Sequence, residues 1–243
     1  CSGYGAGGMS GLFITGSGTG VGKTLVTCIL LHQLRRAGHV ARALKPVITG
    51  FDADAVADSD TGRLLTAMDE PLDKAAVGSV SPWRFADPIS PDMAAAREGK
   101  RLDVGEIVGF CRYAGPAEGQ SIMLVEGIGG AMVPISEDET VLDWMAGLGW
   151  PVLLVTGSYL GSLSHTLTAV EAIRLRGLEM AGVVISESVE NPVPVRETAE
   201  TIGRFVAPAP VIVLPRMDSG NPRDDSVPDI ADHLGLLNPD SVS

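Results

Sequence analysis

The sequence predicts one α/β domain built on a doubly wound, mainly parallel sheet with helices on both faces. Six short apolar segments, each bounded by glycine or proline, are typical of strands that are buried on both sides. Helical patterns separate them, and a glycine-rich turn joins the first strand to the first helix. With 243 residues, of which 45% are hydrophobic, the chain is long enough to bury a single core of this kind.

Predicted strands and helices alternate along the chain. The strands cover residues 12–15, 40–45, 122–126, 152–156, 182–186 and 211–214. A helix after the first strand ends at Gly38, and further helical patterns lie near 60–68, 91–98, 103–113, 139–148, 162–176, 194–205 and 226–236. Right-handed crossovers bring the carboxyl ends of parallel strands to one edge of the sheet, where ligands bind. The polar residues that end these strands are therefore the candidates for function.

The predicted domain covers residues 9–237. Residues 1–8 resemble the remnant of an expression tag before a start at Met9, and residues 238–243 are expected to form a loose tail. No segment has the roughly 18 to 20 consecutive apolar residues of a membrane helix, and the N-terminus lacks the order of a secretory signal. We therefore expect a soluble, cytoplasmic protein.

The charge of the chain limits its partners. A formal net charge of −12 disfavours nonspecific binding to nucleic acid or to an anionic membrane surface. Against that background the lysines stand out, because Lys23 and Lys45, two of only four, lie in motif-like contexts. Cys28 and Cys111 lack metal-ligand spacing and are expected to be small core residues.

A glycine-rich loop, GSGTGVGKT, follows the first strand at residues 16–24. Glycines allow backbone N–H groups to turn inward around an anion, and the positive end of the following helix points at the same place. Lys23 would reach the terminal phosphates of a nucleotide, and Thr24 would offer its hydroxyl to Mg²⁺. A turn that only joins strand to helix is the alternative, but strand, loop, Gly-Lys-Thr and amphipathic helix together favour a phosphate-binding loop.

The spacing within this loop is unusual. The common pattern has four residues between its first glycine and Gly-Lys, whereas five separate Gly16 from Gly22. Ser17 thus stands where the strict pattern has glycine.

Two other predicted strands deliver charged groups to the same edge. Lys45 ends the second strand among apolar neighbours, where a buried lysine needs an anionic partner. Glu126 ends the third strand and precedes a glycine-rich turn, a position suited to holding Mg²⁺ directly or through water. An anion-binding role is predicted for Lys45 and a metal role for Glu126, with a structural ion pair as the alternative for the glutamate.

Other polar residues have more than one interpretation from local sequence. Asp60 begins a helix and reads first as its cap, although Asp58 or Ser59 could serve instead. Thr49 could close a loop or contact a substrate. The segment after the fourth strand begins a helix whose free N–H groups suit an anion. His165, in its first turn, is interpreted as structural.

Taken in order, the motifs resemble those of the dethiobiotin synthetases. They are the phosphate loop at 16–24, Lys-Pro-Val with Thr-Gly at 45–50, Ser-Asp at 59–60, Ser-Pro at 90–91 with Glu-Gly at 98–99, Val-Glu-Gly-x-Gly-Gly at 125–130, and Leu-Gly-x-x-Ser-His at 160–165. The match covers about residues 12–237. The resemblance implies a P-loop NTPase fold and ATP-dependent ring closure of 7,8-diaminononanoate with CO₂ to give dethiobiotin, ADP and phosphate, through a phosphorylated carbamate.

The resemblance also assigns roles to residues. It implies that Lys23 and Lys45 are catalytic and that Mg²⁺ is held by Thr24, Asp60 and Glu126. The nucleotide would contact Gly20, Val21, Gly22, Lys23, Thr24, Leu25, Asp60, Glu126, Gly127, Ile128, Gly129, Ser186, Glu187, Pro215, Arg216 and Met217. The substrate would contact Thr49, Gly161, Ser162, Leu163 and Ser164, the last four across the interface of a homodimer.

Two positions depart from the family pattern. Ser186 and Glu187 stand where many members have Asn-Asp, whose amide can read both the donor and the acceptor of adenine. A serine cannot do so in the same geometry, which leaves the base preference open and shifts base contacts toward the backbone at 215–217. Gly20 replaces an acidic residue that is common in the family's phosphate loop, a change expected to matter little beside Glu126 and Asp60.

Two rival classes share the wider fold. A partitioning or positioning ATPase, a switch whose output is partner binding, commonly carries an additional lysine early in the phosphate loop, where this chain has Gly18. A cobyrinate-type amide synthase requires a glutamine-hydrolysing domain, for which the chain has no room. Both features favour the synthetase.

Overall fold

The computed structural model describes residues 10–114, 121–217, 220–224 and 226–237. The expected tag remnant and start at Met9, and the expected tail at 238–243, lie outside the described residues.

The strands form a parallel sheet of six and a separate parallel pair. In chain order the strands are β1 (Ser10–Gly16), β2 (Val40–Leu44), β3 (Val47–Thr49), β4 (Trp83–Phe85), β5 (Ser121–Glu126), β6 (Val152–Gly157), β7 (Met180–Ser186) and β8 (Val211–Leu214). The main sheet has the order β2-β5-β1-β6-β7-β8, and all of its pairs are parallel. This confirms the predicted fold class and all six predicted strands.

Helices cover both faces of the main sheet. In chain order they are α1 (Lys23–Arg36), α2 (Asp60–Ala67), α3 (Lys74–Val80), α4 (Pro91–Arg97), α5 (Val104–Tyr113), α6 (Val141–Leu148), α7 (Ser162–Leu175), α8 (Val195–Val206) and α9 (Ile230–His233), and a 3-10 turn spans Val56–Asp58. The helix α3 and the β3–β4 pair were not predicted.

The helix predicted at 226–236 is wrong in extent, because α9 has only four residues. Pro228 disfavours helical backbone at the residue before it, Val227, and the Asp229 side chain caps the helix by accepting from the Asp232 N–H at 3.2 Å. Gly235, with φ of 70°, then lies in the left-handed region that ends helices.

The core has two layers, one on each side of the sheet, because successive strand residues point to opposite faces. Phe13 packs edge to face on Trp144 in one layer, with ring centroids 5.0 Å apart, whereas Leu12 and Ile14 pack against α1 in the other. Cys28 and Cys111 are buried free thiols, as predicted, and burial raises the pKa of each to about 12. None of the helices within the described ranges is long and apolar enough to cross a membrane.

Strand register places the charged residues side by side. Leu44 of β2 is the partner of Val125 in β5, so the next residues, Lys45 and Glu126, leave adjacent strands at the same edge. Ile14 of β1 is in turn the partner of Glu126. The phosphate loop therefore begins beside the glutamate.

The start of α2 is fixed by close packing. Ser59 caps the helix by accepting a hydrogen bond from the Gly62 N–H at 3.0 Å, and Thr61 shares a buried hydrogen bond of 2.7 Å with Ser81. A Cβ atom at Gly62 would overlap the carbonyl oxygen of Val56. Only glycine thus allows the 3-10 turn to pack directly on α2.

We predict opposite effects of two Gly→Ala substitutions in helices. Gly62→Ala should lower the free energy of unfolding by about 1–3 kcal/mol, because the methyl group must displace backbone. Gly78→Ala, in α3, should raise it by about 0.5–1 kcal/mol, because its Cβ meets no atom within 4 Å and alanine favours the helix. Denaturant unfolding of both variants measures the difference, and equal effects would contradict the steric role of Gly62.

Candidate active site

A cavity of about 690 Å³ opens at the carboxyl edge of the main sheet. The phosphate loop and the start of α1 form one side, and Lys45 and Glu126 line the strand ends. Asp60 of α2 and Thr49 at the end of β3 face the same space, and residues 88–91 close it. The predicted phosphate, metal and lysine positions are therefore brought together in one cavity.

The phosphate loop has the backbone that its glycines allow. Gly20 and Gly22 have φ values of 72° and 97°, and Gly22 directly precedes α1. The Lys23 ammonium folds back over the loop and donates to the carbonyl oxygens of Gly18 at 2.8 Å and Gly129 at 2.7 Å. Its partners are neutral, so its positive charge remains available to an anion in the cavity.

The pKa of Lys23 is lowered to about 8. Burial is the main cause, since only 7% of the residue is exposed, and the nearby Lys45 charge adds to it. The carboxylates of Glu126 and Asp60 act in the opposite direction but are outweighed.

Glu126 is fully buried and hydrogen-bonded through both carboxylate oxygens. Oε1 accepts from Thr24 Oγ1 at 2.8 Å and from Lys45 Nζ at 2.7 Å. Oε2 accepts from Thr27 Oγ1 at 3.0 Å. Thr27 was missed by sequence reasoning, although it lies one helical turn after Thr24 on the face that points at β5.

Lys45 is the cation between two carboxylates. It is 3% exposed, and its ammonium lies 2.7 Å from Glu126 Oε1 and 3.3 Å from Asp60 Oδ2, and also donates to the Gly127 carbonyl at 2.9 Å. Burial alone would lower the pKa of Lys45, but the two carboxylates outweigh it and hold that pKa above its usual range. Lys45 is therefore charged at neutral pH.

Asp60 is not the cap of α2. Ser59 holds that position, and Asp60 is the first helical residue, with its carboxylate turned to Lys45. Burial would raise the pKa of Asp60, but the Lys45 charge opposes this, and the net pKa is below the usual value. The carboxylate is thus anionic at neutral pH.

The oxygen atoms at this end of the cavity suit a hard divalent cation. Thr24 offers a hydroxyl, and Asp60 and Glu126 offer carboxylates, which are the donors that Mg²⁺ prefers. Within the described ranges no group of three or more His, Cys, Asp or Glu side chains forms a metal cage. The residues present therefore fit an ion that takes its remaining ligands from water and a bound phosphate.

The residues predicted to contact the base lie outside this cavity but close to one another. Glu187 accepts from the backbone N–H of Arg216 at 3.0 Å and from Asn191 Nδ2 at 3.3 Å. The Ser186 hydroxyl lies close behind the backbone of Gly22. The ends of β7 and β8 thus meet beside the phosphate loop, and the base contacts of Ser186, Glu187 and residues 215–217 remain predictions.

The segment predicted to bind the substrate carboxylate begins α7. Gly161, with φ of 96°, precedes the helix, and Gly161, Leu163 and Ser164 are exposed. Ser162 is buried, and its N–H donates to the Tyr159 carbonyl at 3.0 Å. The exposed residues do not line the cavity of their own subunit.

A chain of hydroxyls, half-buried at Ser17 and buried beyond it, joins the phosphate loop to α7. Ser17 Oγ lies 2.8 Å from Thr156 Oγ1 at the end of β6, and Thr156 Oγ1 lies 2.7 Å from Thr166 Oγ1. Thr166 donates to the Ser162 carbonyl at 2.6 Å. The serine that departs from the strict loop pattern is thus part of a contact between two elements.

Comparison with solved structures supports the fold. The septum site-determining protein MinD complexed with Mg-ADP, from Pyrococcus horikoshii OT3, aligns with a TM-score of 0.51 at 15% identity and covers 95% of this chain and 94% of that one. Chloroplast FtsY from Physcomitrella patens has a TM-score of 0.51 at 15% identity, covering 97% of this chain and 67% of that chain. At these identities the likeness extends to the fold alone.

Sequence comparison is more specific. The model of a family described as "AAA domain" matches residues 10–219. The ATP-dependent dethiobiotin synthetase BioD of Acidiphilium cryptum is 49% identical over 84% of this chain and 93% of its own length. That of Methylobacterium nodulans is 46% identical over 81% and 89%. Together with the lysine pair and the phosphate loop in one cavity, these matches show that the chain belongs to the ATP-dependent dethiobiotin synthetase family.

Proposed function

We propose that this protein catalyses the Mg-ATP-dependent carboxylation and ring closure of 7,8-diaminononanoate with CO₂ to give dethiobiotin, ADP and phosphate. The relatives named for this activity, which match over most of the chain, support the proposal. The observation that carries it is the convergence of Lys23, Lys45 and Glu126 on one cavity beside the phosphate loop. Such a site can hold a nucleotide and a second anionic reactant together.

The proposed chemistry needs charge neutralisation more than covalent help. One amine of the substrate attacks CO₂ and loses a proton to form a carbamate, and a carbamate oxygen then takes the terminal phosphoryl group of ATP. The second amine attacks the carbamate carbon and loses a proton as the ring closes and phosphate leaves. Lys23 and Lys45 would balance the negative charge on the phosphoryl group and the carbamate while both are held in position.

A magnesium ion bound by Thr24, Asp60 and Glu126 belongs to the same proposal. Bound there with the nucleotide, it would neutralise phosphate charge and orient the phosphoryl group. The hard oxygen donors in the cavity support this role, and the MinD structure of the same fold contains Mg-ADP.

The substrate is proposed to lie across a homodimer. Its carboxylate would meet the start of α7 in the partner subunit, where Gly161, Leu163 and Ser164 are exposed. Two leucines are exposed in this segment, Leu160 at 85% and Leu163 at 38%, and their joint exposure supports a covering partner. Thr49 would contact the substrate within its own subunit, since it lines the cavity. The use of ATP and the free thiols of Cys28 and Cys111 favour a cytoplasmic location.

The alternative is a partitioning-type ATPase switch. MinD shares the fold, but that likeness does not extend to function. Gly18 stands where those ATPases commonly carry a lysine, and the net charge of −12 disfavours a switch that binds DNA. The synthetase is therefore the better supported function.

The proposal predicts phosphate release that requires both substrates. Purified protein with ATP should release phosphate only when 7,8-diaminononanoate and bicarbonate are both present, and removal of Mg²⁺ with a chelator should stop the reaction. Lys23→Ala should lower turnover by about two orders of magnitude or more, because charge stabilisation in the transition state is lost. ATP hydrolysis that is indifferent to the diamine would instead support the switch.

Base preference is predicted to change with one side chain. Ser186→Asn should raise the preference for ATP over other nucleoside triphosphates, measured as a ratio of kcat/KM values, by about tenfold, because an amide can pair with the donor and acceptor of adenine. Ser186→Ala is the matched control, since it alters the same position without adding an amide, and it should leave the ratio unchanged. Equal ratios in all three proteins would remove the proposed base contact at this position.

Nucleotide binding should be coupled to the protonation of Lys23. Phosphates next to the ammonium favour its charged form and raise its pKa from the ligand-free value of about 8. At about pH 8.5, binding of Mg-ADP should therefore take up most of a proton, whereas at about pH 7 the uptake should be small because Lys23 is already charged. Calorimetry in two buffers of different ionisation enthalpy measures the uptake, and equal values at the two pH values would contradict the assignment.

A further inference from the structure

The cavity wall carries a cation whose charge is not used within the subunit. Arg63 lines the cavity from α2, one helical turn after Asp60, and its side chain is exposed. Within the part of the chain that the structure describes, its guanidinium has no hydrogen bond or ion pair. Lys23 and Lys45, which line the same cavity, both have partners.

The charges of the other side chains in the cavity do not neutralise a bound nucleotide and carbamate, and the Arg63 guanidinium can contribute the missing positive charge. Lys45 faces two carboxylates, which leaves one negative charge, and Lys23 contributes one positive charge, so the four groups sum to zero. A nucleotide triphosphate and a carbamate together carry more negative charge than one Mg²⁺ neutralises. The unpaired guanidinium is the group on the cavity wall that can compensate this excess.

The backbone at Arg63 is held in place. The Ser59 cap, the Thr61 hydrogen bond and the contact of Gly62 with Val56 fix the preceding turn. Cys28 Sγ, in α1, lies 3.7 Å from the Arg63 carbonyl oxygen. Because α1 also carries Lys23 and Thr24, Arg63 keeps its position relative to the phosphate-binding groups.

We propose that Arg63 binds an oxygen of the terminal phosphoryl group of the bound nucleotide. A guanidinium can donate two parallel hydrogen bonds to phosphoryl oxygens and remains charged at any physiological pH. Supplied from within the same subunit, it would stabilise charge on the phosphoryl group during transfer. This inference rests on the proposed function only for the identity of the group that accepts the phosphoryl group. The binding of the nucleotide by Arg63 does not depend on it.

Binding of two nucleotides that differ by the terminal phosphoryl group tests the proposal. The ligands are Mg-ADP and the magnesium complex of a non-hydrolysable imido analogue of ATP, and calorimetry gives both affinities. Arg63→Ala should lower the affinity for the triphosphate analogue by about tenfold and the affinity for ADP by less than about twofold. Arg63→Lys, which keeps the charge but not the forked donors, should fall between wild type and alanine.

Arg36→Ala is the matched control. Arg36 is an exposed arginine at the last position of α1 and does not line the cavity, so its removal changes the net charge by the same amount. It should leave the affinities for both nucleotides unchanged. The proposal would be overturned if Arg63→Ala lowered the affinities for ADP and for the triphosphate analogue equally. It would also be overturned if Arg63→Ala and Arg36→Ala changed these affinities by the same amount.

Turnover separates this inference from the proposed function. With diamine and bicarbonate, Arg63→Ala should lower kcat by about tenfold or more, while Arg36→Ala stays near wild type. Phosphate release in the wild type that does not depend on the diamine would defeat the proposed function and leave the triphosphate binding result standing. Diamine-dependent release with wild-type triphosphate affinity in Arg63→Ala would defeat the role of Arg63 alone.

Discussion

The buried contact between Lys45 and Glu126 is the constraint on which the rest of the site depends. A carboxylate with no exposure is tolerated only when it is paired and its oxygens are hydrogen-bonded. Glu126 meets this condition with three donors from two places in the fold: Lys45 after β2, and Thr24 and Thr27 on α1. Removing Lys45 would leave Glu126 buried without a cation, and the Thr24 and Thr27 hydroxyls that complete the site hold the start of α1 against the strand ends.

The two lysines of the cavity show how partners of different charge produce different behaviour. Lys45 faces carboxylates, and its pKa lies above the usual range although the side chain is buried. Lys23 faces carbonyl oxygens, and burial lowers its pKa to about 8. One lysine is therefore a fixed charge that organises the site, whereas the other loses its charge above about pH 8 unless an anion binds beside it. A phosphoryl-transfer site can use both properties.

Much of this arrangement could be read from sequence, because strand and loop signals are local. The six strands, the phosphate loop, and Lys45 and Glu126 at one sheet edge follow from short apolar runs and the parallel topology. The three-residue strands β3 and β4 are too short to give a period, and α9 is shortened by a proline and a glycine. Thr27 and Arg63 belong to no sequence motif and could not be predicted, because their positions in the site depend on which element packs opposite them.

The hydroxyl chain at Ser17 has a fixed polarity. The Thr166 proton goes to the Ser162 carbonyl, so Thr166 accepts from Thr156, and Thr156 in turn accepts from Ser17. The single Ser17 proton therefore points into the protein and is unavailable to a phosphate oxygen. A glycine there would restore the strict loop pattern but leave a buried threonine oxygen without its donor. The Ser17 hydroxyl therefore joins the phosphate loop to the start of α7, so a change at the start of that helix would be felt in the loop.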